Sequence, residues 1–274
     1  MDLDGKFREL KERKEGAHMA HVYYGDPSEE FSLRLIRTLA ASGADLIEFG
    51  IPFSDPIADG PTFQAACERA LRGGITPFKC IEGIRRLRKE GFGTPIVVTT
   101  YFNIPYAMGF EKFLDEIKDA GAQAILVPDL PMEEAKPFLG LAKKMGLHLI
   151  LQVAPTTSRE RLKRILTEAS GFVYLISIEG VTGSRLKDWR KGSTMELIRV
   201  VKAQSPIPIM VGFGILKREH AESMVSAGAD GVIVGSAYAR IYQKSLENPY
   251  RRIDEIARLA REIKLGCIDG YNKR

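Results

Sequence analysis

Two carboxylates that lie close together in the chain are the residues best suited to acid–base chemistry. Glu48 is embedded in the apolar stretch 46–50, and Asp59 follows on a loop, residues 51–61, that contains three prolines. A buried carboxylate is unfavourable unless it is paired or takes part in chemistry. Two fixed carboxylates in different environments can act as acid and base at neutral pH. Each also has a simpler interpretation: an ion pair with Lys or Arg for Glu48, and a turn residue for Asp59.

Three glycine-bearing turns later in the chain indicate an anion-binding site. They are residues 180–184, 212–214 and 235–236, and each lies at or after the end of an apolar stretch. Glycine lets backbone N–H groups approach an anion closely, and Ser236 can donate its hydroxyl as well. One such turn would be interpreted as an ordinary connection, whereas three at successive strand ends favour phosphate binding.

Four other polar side chains could either line a pocket or belong to the core. Tyr174 and His21 lie inside apolar stretches, and Tyr101 and Asp129 directly follow such stretches. The simplest interpretation is core packing for the two tyrosines, a hydrogen-bonded core position for His21 and a loop cap for Asp129. The sequence pattern alone leaves both interpretations open.

The elements that must position these residues alternate between strands and helices. Eight short apolar stretches, most of them rich in Ile and Val, predict buried parallel strands. They are residues 18–23, 46–50, 96–100, 124–128, 148–153, 172–177, 207–212 and 231–235. The amphipathic stretches between them predict helices at residues 31–41, 77–90, 110–120, 133–144, 159–169, 195–203 and 219–227, and residues 250–264 predict a closing helix.

A weak internal repeat favours a closed barrel. Residues 41–45, 119–123 and 226–230 each place a Gly-Ala pair between the end of a predicted helix and the start of a predicted strand. Repeated strand–helix units of this kind, eight in number, predict a (β/α)8 TIM barrel that forms a single domain over residues 1–274. A doubly wound open sheet is the alternative, but no GxGxxG motif follows the first predicted strand.

The longest predicted loops follow the second and sixth strands. They are residues 51–61 and about 178–193, and in a barrel both belong to the C-terminal face, where active sites form. The second of these loops carries Gly180, Gly183 and Gly192 together with many charged residues. This composition predicts a mobile lid over the site.

Composition excludes several classes of protein. The net charge is +5, but Lys and Arg alternate with acidic residues along the predicted helices, which indicates solvated helix faces rather than a nucleic-acid surface. The three cysteines, Cys67, Cys80 and Cys267, form no CxxC pair, so neither a disulfide framework nor a zinc site is expected, as in a reducing cytosol. The charged N-terminus is unlike a signal peptide, and no apolar stretch approaches the length of a membrane span.

A resemblance gives these features a common interpretation. Residues 48–61, which read Glu-Phe-Gly-Ile-Pro-Phe-Ser-Asp-Pro-Ile-Ala-Asp-Gly-Pro, resemble the signature of the tryptophan synthase α subunit family. Segments at 25–27, 101–103, 128–131, 154–157, 180–183, 212–215 and 235–237 agree in order and spacing, so the resemblance extends over residues 16–263.

The resemblance implies a TIM barrel that cleaves indole-3-glycerol phosphate into indole and glyceraldehyde 3-phosphate by a retro-aldol reaction. It implies no cofactor or metal in this subunit. The implied partner is a β subunit that contains pyridoxal phosphate, in a cytoplasmic α2β2 complex.

The resemblance also assigns roles to single residues. Glu48 matches the catalytic acid–base of the family, and Asp59 matches its second catalytic carboxylate. The implied substrate-binding residues are Tyr174, Tyr101, Phe213, Gly183, Gly214, Gly235 and Ser236, of which Phe213 packs on the substrate and the glycines and Ser236 form the phosphate-binding turns.

The implied reaction explains why two acids are needed. Cleavage at the indole ring first requires a proton on C3, and Glu48 in an apolar strand is expected to be protonated near neutrality. Protonation of C3 places positive charge on the ring nitrogen, which ionised Asp59 would stabilise by accepting a hydrogen bond from N1–H. Deprotonated Glu48 is then the simplest base for the hydroxyl beside the breaking bond.

The chain departs from the family pattern at two positions. His21 replaces the usual phenylalanine and could change the polarity of the pocket wall. Ile178 replaces a common arginine, for which Arg185 or Lys187 could substitute. Two alternative functions remain open: a stand-alone lyase that releases indole, and a catalytically silent activator of the β subunit.

Overall fold

The computed structural model describes residues 2–177, 194–212 and 214–274, which form a closed barrel of eight parallel strands. The strands are β1 Ala17–Tyr23, β2 Leu46–Gly50, β3 Ile96–Thr99, β4 Ala124–Leu126, β5 His148–Val153, β6 Val173–Ile176, β7 Ile209–Gly212 and β8 Gly231–Val234. Each strand pairs with its neighbour in chain order, and β1 pairs with β8 to close the barrel. The predicted TIM barrel is therefore confirmed, and the open-sheet alternative is wrong.

Helices follow the strands around the outside of the barrel. In the described part of the chain they are α1 Leu3–Glu12, α2 Glu29–Ala41, α3 Pro61–Arg72, α4 Pro77–Lys89, α5 Asn103–Met108, α6 Phe110–Asp119, α7 Met132–Lys144, α8 Arg159–Glu168, α9 Thr194–Lys202, α10 Arg218–Ser226, α11 Ser236–Tyr242 and α12 Ile253–Asn272. Two 3-10 helices, Gln243–Ser245 and Pro249–Arg252, precede α12.

Local sequence explains where several helices begin. Ser28 and Ser158 accept hydrogen bonds from the backbone N–H groups at the starts of α2 and α8, which satisfies donors that have no partner within the helix. Pro61 occupies the first turn of α3, where its missing N–H costs nothing. Because α3 begins directly after Asp59 and Gly60, the start of this helix fixes the end of the loop that carries Asp59.

The eight strands and seven of the helices agree with the sequence predictions to within two residues at each end. The closing helix, predicted at 250–264, begins at Ile253 and extends to Asn272. Four helices were not predicted: α1, α3, α5 and α11. The predicted lid at 178–193 lies outside the described residues.

Side chains on alternate positions of the strands point to opposite sides of the barrel wall. One apolar cluster fills the barrel interior and includes Met19, Leu46, Val97, Ile150 and Met210. The larger cluster lies between the strands and the surrounding helices and includes the intervening positions of the same strands. The interior is therefore a packed core below the level of the functional residues, as the barrel architecture requires.

Helix α1 fills the N-terminal end of the barrel interior. Its buried residues Leu3, Phe7 and Leu10 belong to the interior cluster, and the rings of Phe7 and Phe172 lie 5.9 Å apart. Phe172 directly precedes β6, so this contact marks the N-terminal end of the strands. The opposite end is left for polar side chains.

All three cysteines are buried free thiols. Within residues 2–177, 194–212 and 214–274, no group of histidine, cysteine and acidic side chains could hold a metal ion. Across the same residues, no helix combines the length and the apolar character that crossing a bilayer requires.

Candidate active site

A cavity of about 300 Å³ opens at the C-terminal end of the barrel. Its wall is formed by side chains at the ends of the strands, by the loop before α3, and by the turns that follow β7 and β8. The lining residues include His21, Tyr23, Glu48, Asp59, Phe63, Thr99, Tyr101, Gln152, Tyr174, Gly214, Gly235, Ser236 and Arg240. The structure therefore brings together both predicted carboxylates and five of the predicted substrate-binding residues within its described part.

Glu48 lies on β2 with its side chain in the cavity and only 2% of it exposed. Oε1 accepts a 2.7 Å hydrogen bond from the hydroxyl of Thr99 on β3. Oε2 is buried and has no hydrogen-bond partner among the described residues. Burial raises the pKa of Glu48 from an ordinary 4.5 to about 8, and the negative charge of Asp59 adds to the increase, whereas the bond from Thr99 opposes it. Glu48 is therefore protonated at neutral pH.

Asp59 lies on the loop between β2 and α3 and is held by two tyrosines. The hydroxyls of Tyr23 and Tyr101 both donate to Oδ2, at 2.5 and 2.6 Å. The backbone N–H of Ala58 in turn donates to the oxygen of Tyr101 at 3.1 Å. Burial raises the pKa of Asp59, and the two phenol hydrogen bonds oppose this increase because they stabilise the carboxylate. Tyr101 thus contacts the site directly and is more than a core residue.

His21 faces Glu48 across the β1–β2 pair. Its Nδ1 lies 3.4 Å from Oε1 of Glu48, but burial lowers the pKa of His21 to about 3, so the imidazole is neutral and this contact is not an ion pair. The ring packs between those of Tyr23 and Phe63, with centroid distances of 4.9 and 4.6 Å. His21 therefore lines the pocket as a neutral, polar wall.

Tyr174 on β6 projects into the cavity beside β7. It is 5% exposed, and burial together with the charges of Glu48 and Asp59 keeps its pKa well above the ordinary value. Its hydroxyl occupies space that glycine leaves open, because a Cβ at Gly212 would lie 2.3 Å from that oxygen. Gly212 therefore permits the position of Tyr174 and has no demonstrated part in binding an anion.

The two described phosphate-turn segments meet at the mouth of the same cavity. Gly214 lies two residues after the end of β7 and has a φ of +74°, a conformation that favours glycine. Gly235 lies at the end of β8 in a crowded position, since a Cβ there would lie 2.5 Å from the ring of Phe63. Ser236 begins α11. The remaining predicted residues, Gly183 and Phe213, lie outside the described residues, as does Ile178.

A buried ion pair anchors the helix that follows Asp59. Asp26, which is fully buried, accepts hydrogen bonds from Nε and Nη2 of Arg69 on α3 at 2.7 and 2.8 Å. Tyr242 on α11 donates to the same carboxylate at 2.6 Å. Bidentate pairing of this kind has a restricted geometry, so it ties α3 and α11 to the end of β1 and limits movement of the Asp59 loop.

Several side chains of the cavity are not indicated by the sequence pattern. Tyr23 and Thr99 hydrogen bond to the two carboxylates, and Gln152, Phe63 and Arg240 line the cavity. The alternation of strand side chains offered a signal for Tyr23, because it lies two residues after His21 on β1. Asp129, considered as a pocket residue or loop cap, accepts a hydrogen bond from the backbone N–H of Phe102 at 2.8 Å and so supports a loop.

Comparison with known proteins agrees with this geometry. A family model described as tryptophan synthase alpha chain matches residues 7–267. The chain is 47% identical over 255 residues to the tryptophan synthase alpha chain of Methanocaldococcus jannaschii, covering 93% of this chain and 89% of the relative. It is 41% identical over 272 residues to that of Methanopyrus kandleri, covering 99% and 97%.

Solved structures give the same result. The tryptophan synthase alpha chain from Legionella pneumophila subsp. pneumophila superimposes with a TM-score of 0.85 at 33% identity, covering 97% of both chains. A chain of tryptophan synthase from M. tuberculosis superimposes with a TM-score of 0.85 at 32% identity, covering 97% of this chain and 98% of that one. Because the family model and these relatives extend over nearly the whole length, the chain belongs to the tryptophan synthase alpha chain family.

Proposed function

We propose that Glu48 and Asp59 carry out the reaction of the tryptophan synthase alpha family, the cleavage of indole-3-glycerol phosphate into indole and glyceraldehyde 3-phosphate. The observation that carries this proposal is the shared cavity, in which a protonated Glu48 and a tyrosine-bound Asp59 lie with the turns that follow β7 and β8. The cavity thus combines an acid, an anionic hydrogen-bond acceptor and a site for phosphate.

The first step is transfer of the Glu48 proton to C3 of the indole ring. Oε1 is occupied by the hydroxyl of Thr99, whereas Oε2 accepts no hydrogen bond from any described residue. Oε2 is therefore the oxygen from which the proton is transferred. A pKa of about 8 suits a general acid at neutral pH, because the group is protonated yet gives up its proton readily.

Asp59 stabilises the positive charge that C3 protonation places on the ring nitrogen. Its Oδ2 is occupied by Tyr23 and Tyr101, which leaves Oδ1 to accept the hydrogen bond from N1–H. A fixed negative charge placed where positive charge develops is a major source of catalysis. The two phenols keep the carboxylate in place and favour its ionised form.

The bond between C3 and the side chain then breaks, and its electrons return to the ring. The hydroxyl on the departing carbon loses its proton and becomes the aldehyde oxygen of glyceraldehyde 3-phosphate. Glu48, now a carboxylate, accepts this proton and is ready for the next turnover. Glu48 thus donates one proton and takes one back in each turnover, so the cycle needs no cofactor in this subunit.

The phosphate is held by Gly214, Gly235 and Ser236, together with Gly183, and Phe213 packs on the substrate. The roles of Gly183 and Phe213 follow from the family resemblance. Tyr174 and Tyr101 line the space for the indole and glycerol parts. Holding the phosphate at the mouth fixes the indole against both carboxylates, and this orientation lowers the barrier.

A β subunit that contains pyridoxal phosphate is the proposed partner, in a cytoplasmic α2β2 complex. The proposal is supported by the family to which the chain belongs. The side chain of Ile57, on the loop with Asp59, is 79% exposed and so is accessible to a partner at this end of the barrel. Neither nucleic acid nor a membrane is a proposed partner.

The test is to incubate the protein with indole-3-glycerol phosphate and follow indole, with and without a β subunit. Indole release in either condition is expected. Release without the β subunit together with no association in size-exclusion chromatography would support the stand-alone lyase instead. If the protein is only a silent activator, it should release no indole itself but should increase the turnover of the β subunit.

The matched variant is Glu48→Gln. It is expected to release no indole while it still binds glycerol 3-phosphate, because the phosphate turns are untouched. Near-native turnover by this variant would contradict the acid–base role of Glu48.

A further inference from the structure

Arg240 lies at the mouth of the candidate active-site cavity, and it belongs to none of the motifs seen in the sequence. It is on α11, four residues after Ser236, and its side chain is exposed to solvent. Nη2 lies 3.2 Å from the hydroxyl oxygen of Ser236, and Nε lies 3.3 Å from the backbone oxygen of the same residue. The guanidinium is therefore held against the turn that carries Ser236.

The charges around the cavity are unbalanced without this arginine. Glu48 is protonated at neutral pH, but Asp59 is an acid, and the substrate adds a phosphate with a charge near −2. Among the described residues that line the cavity, Arg240 is the one side chain that is permanently positive. Within the described part of the chain, no carboxylate lies within ion-pair distance of Arg240, so its charge is available to a ligand.

Hydrogen-bond direction adds a second reason. Ser236 accepts a bond from Arg240 with its hydroxyl oxygen, so the hydroxyl proton is free to donate to an anion. An anion bound at Ser236 would also be within reach of the guanidinium, which donates several hydrogen bonds and suits phosphate oxygens. Gly214 and Gly235 line the same mouth of the cavity, and because they have no side chains, their backbone atoms are accessible there.

We propose that Arg240 binds the phosphate of the substrate jointly with Ser236 and makes the pocket select phosphorylated over unphosphorylated indole glycerol. The inference rests on the proposed function for the identity of the substrate, and on the contacts of Arg240 for the position of the anion. The competing explanation is that Arg240 only stabilises α11 through its bonds to Ser236. That explanation predicts no difference between charged and neutral ligands.

The experiment compares Arg240→Gln with Arg258→Gln. Arg258 is exposed on α12 and lies outside the cavity lining, so it provides the same change in net charge. Binding of glycerol 3-phosphate and of indole is measured by calorimetry, and KM is measured for indole-3-glycerol phosphate and for indole-3-glycerol. In Arg240→Gln, glycerol 3-phosphate should bind more weakly and the phosphorylated substrate should have a higher KM. We expect the dissociation constant and the KM each to rise about five- to tenfold. This loss of affinity lies between the loss of an exposed ion pair and the loss of a hydrogen bond to a charged group.

The affinity for indole and the KM of indole-3-glycerol should stay unchanged in Arg240→Gln. Arg258→Gln should behave as the wild type in every measurement. Arg240→Lys should recover part of the lost affinity, and high salt should weaken glycerol 3-phosphate binding less in Arg240→Gln than in the wild type. Unchanged glycerol 3-phosphate affinity, or an equal loss for indole, would overturn the proposal. Because the calorimetry needs no turnover, it tests Arg240 even if indole-3-glycerol phosphate is not cleaved.

Discussion

The hydroxyl of Tyr23, at the end of β1, lies 2.5 Å from Oδ2 of Asp59, which is 36 residues later in the chain. This bond joins the barrel wall to the loop after β2, and Tyr101, two residues after the end of β3, reinforces it at 2.6 Å. Both donors use the same oxygen, so the other oxygen of Asp59 is left for a ligand. The position and charge of the second carboxylate thus depend on two phenols.

Replacement of Tyr23 by phenylalanine should therefore weaken catalysis without disturbing the packing of the ring. The variant keeps the aromatic contacts with His21 and Phe63 but removes one hydrogen bond to a charged group. We expect kcat/KM to fall about tenfold, and steady-state kinetics measure it. Tyr250→Phe, at a half-exposed tyrosine outside the cavity, is the control. An unchanged kcat/KM for Tyr23→Phe would show that Tyr101 alone holds Asp59.

Asp59→Asn should reduce turnover more strongly. The amide preserves the size of the side chain but carries no charge to stabilise the protonated indole ring. Loss of such an electrostatic contact is expected to lower kcat about 10²–10³-fold, with a smaller effect on KM. Asp55→Asn is the matched control, because Asp55 is an exposed residue of the same loop that bonds to Ser54. Equal activity of the two variants would contradict the role of Asp59.

The barrel and the two carboxylates could be predicted because their signals are local. An apolar strand with one acid in it, Glu48, is visible in a few residues, and the turn after it contains Asp59. The bond from Tyr23 could not be predicted in the same way, because it joins positions that only the closed barrel brings together. The neutral state of His21 likewise depends on burial between Tyr23 and Phe63, which no sequence pattern reports.

The missed helices have a different cause. Residues 61–72 follow a proline-rich loop, and the sequence pattern places Pro61 in that loop, although proline is favoured at the start of a helix. α11 has only seven residues, too few to show a helical period. Because α11 carries Ser236 and Arg240 together, missing this helix also concealed the position of the arginine.

The pH dependence of catalysis should follow the protonation of Glu48. Its pKa is raised to about 8 by burial, and the acid must carry a proton to begin the reaction. We expect kcat/KM to fall as pH rises through about 8, which a pH–rate profile measures. In His21→Phe the neighbouring imidazole dipole is lost, the carboxylate form of Glu48 is less well solvated, and the fall should move to higher pH. A profile that stays flat through pH 9 would contradict this assignment.

The same pKa makes Glu48 unfavourable for stability. A carboxyl group with a pKa near 4.5 in the unfolded chain and about 8 in the folded protein binds more protons when folded between these values. Its contribution therefore falls as pH rises from 4.5 to 8 and is constant above that.

Glu48→Gln removes this dependence. The variant should be more stable than the wild type by at most about 3 kcal/mol at pH 7, with the gain disappearing below pH 4.5. Urea unfolding at a series of pH values measures the difference, and Glu111→Gln, at an exposed position, is the control. A gain that is the same at pH 4 and pH 8 would show that packing, and not the buried charge, limits stability at this site.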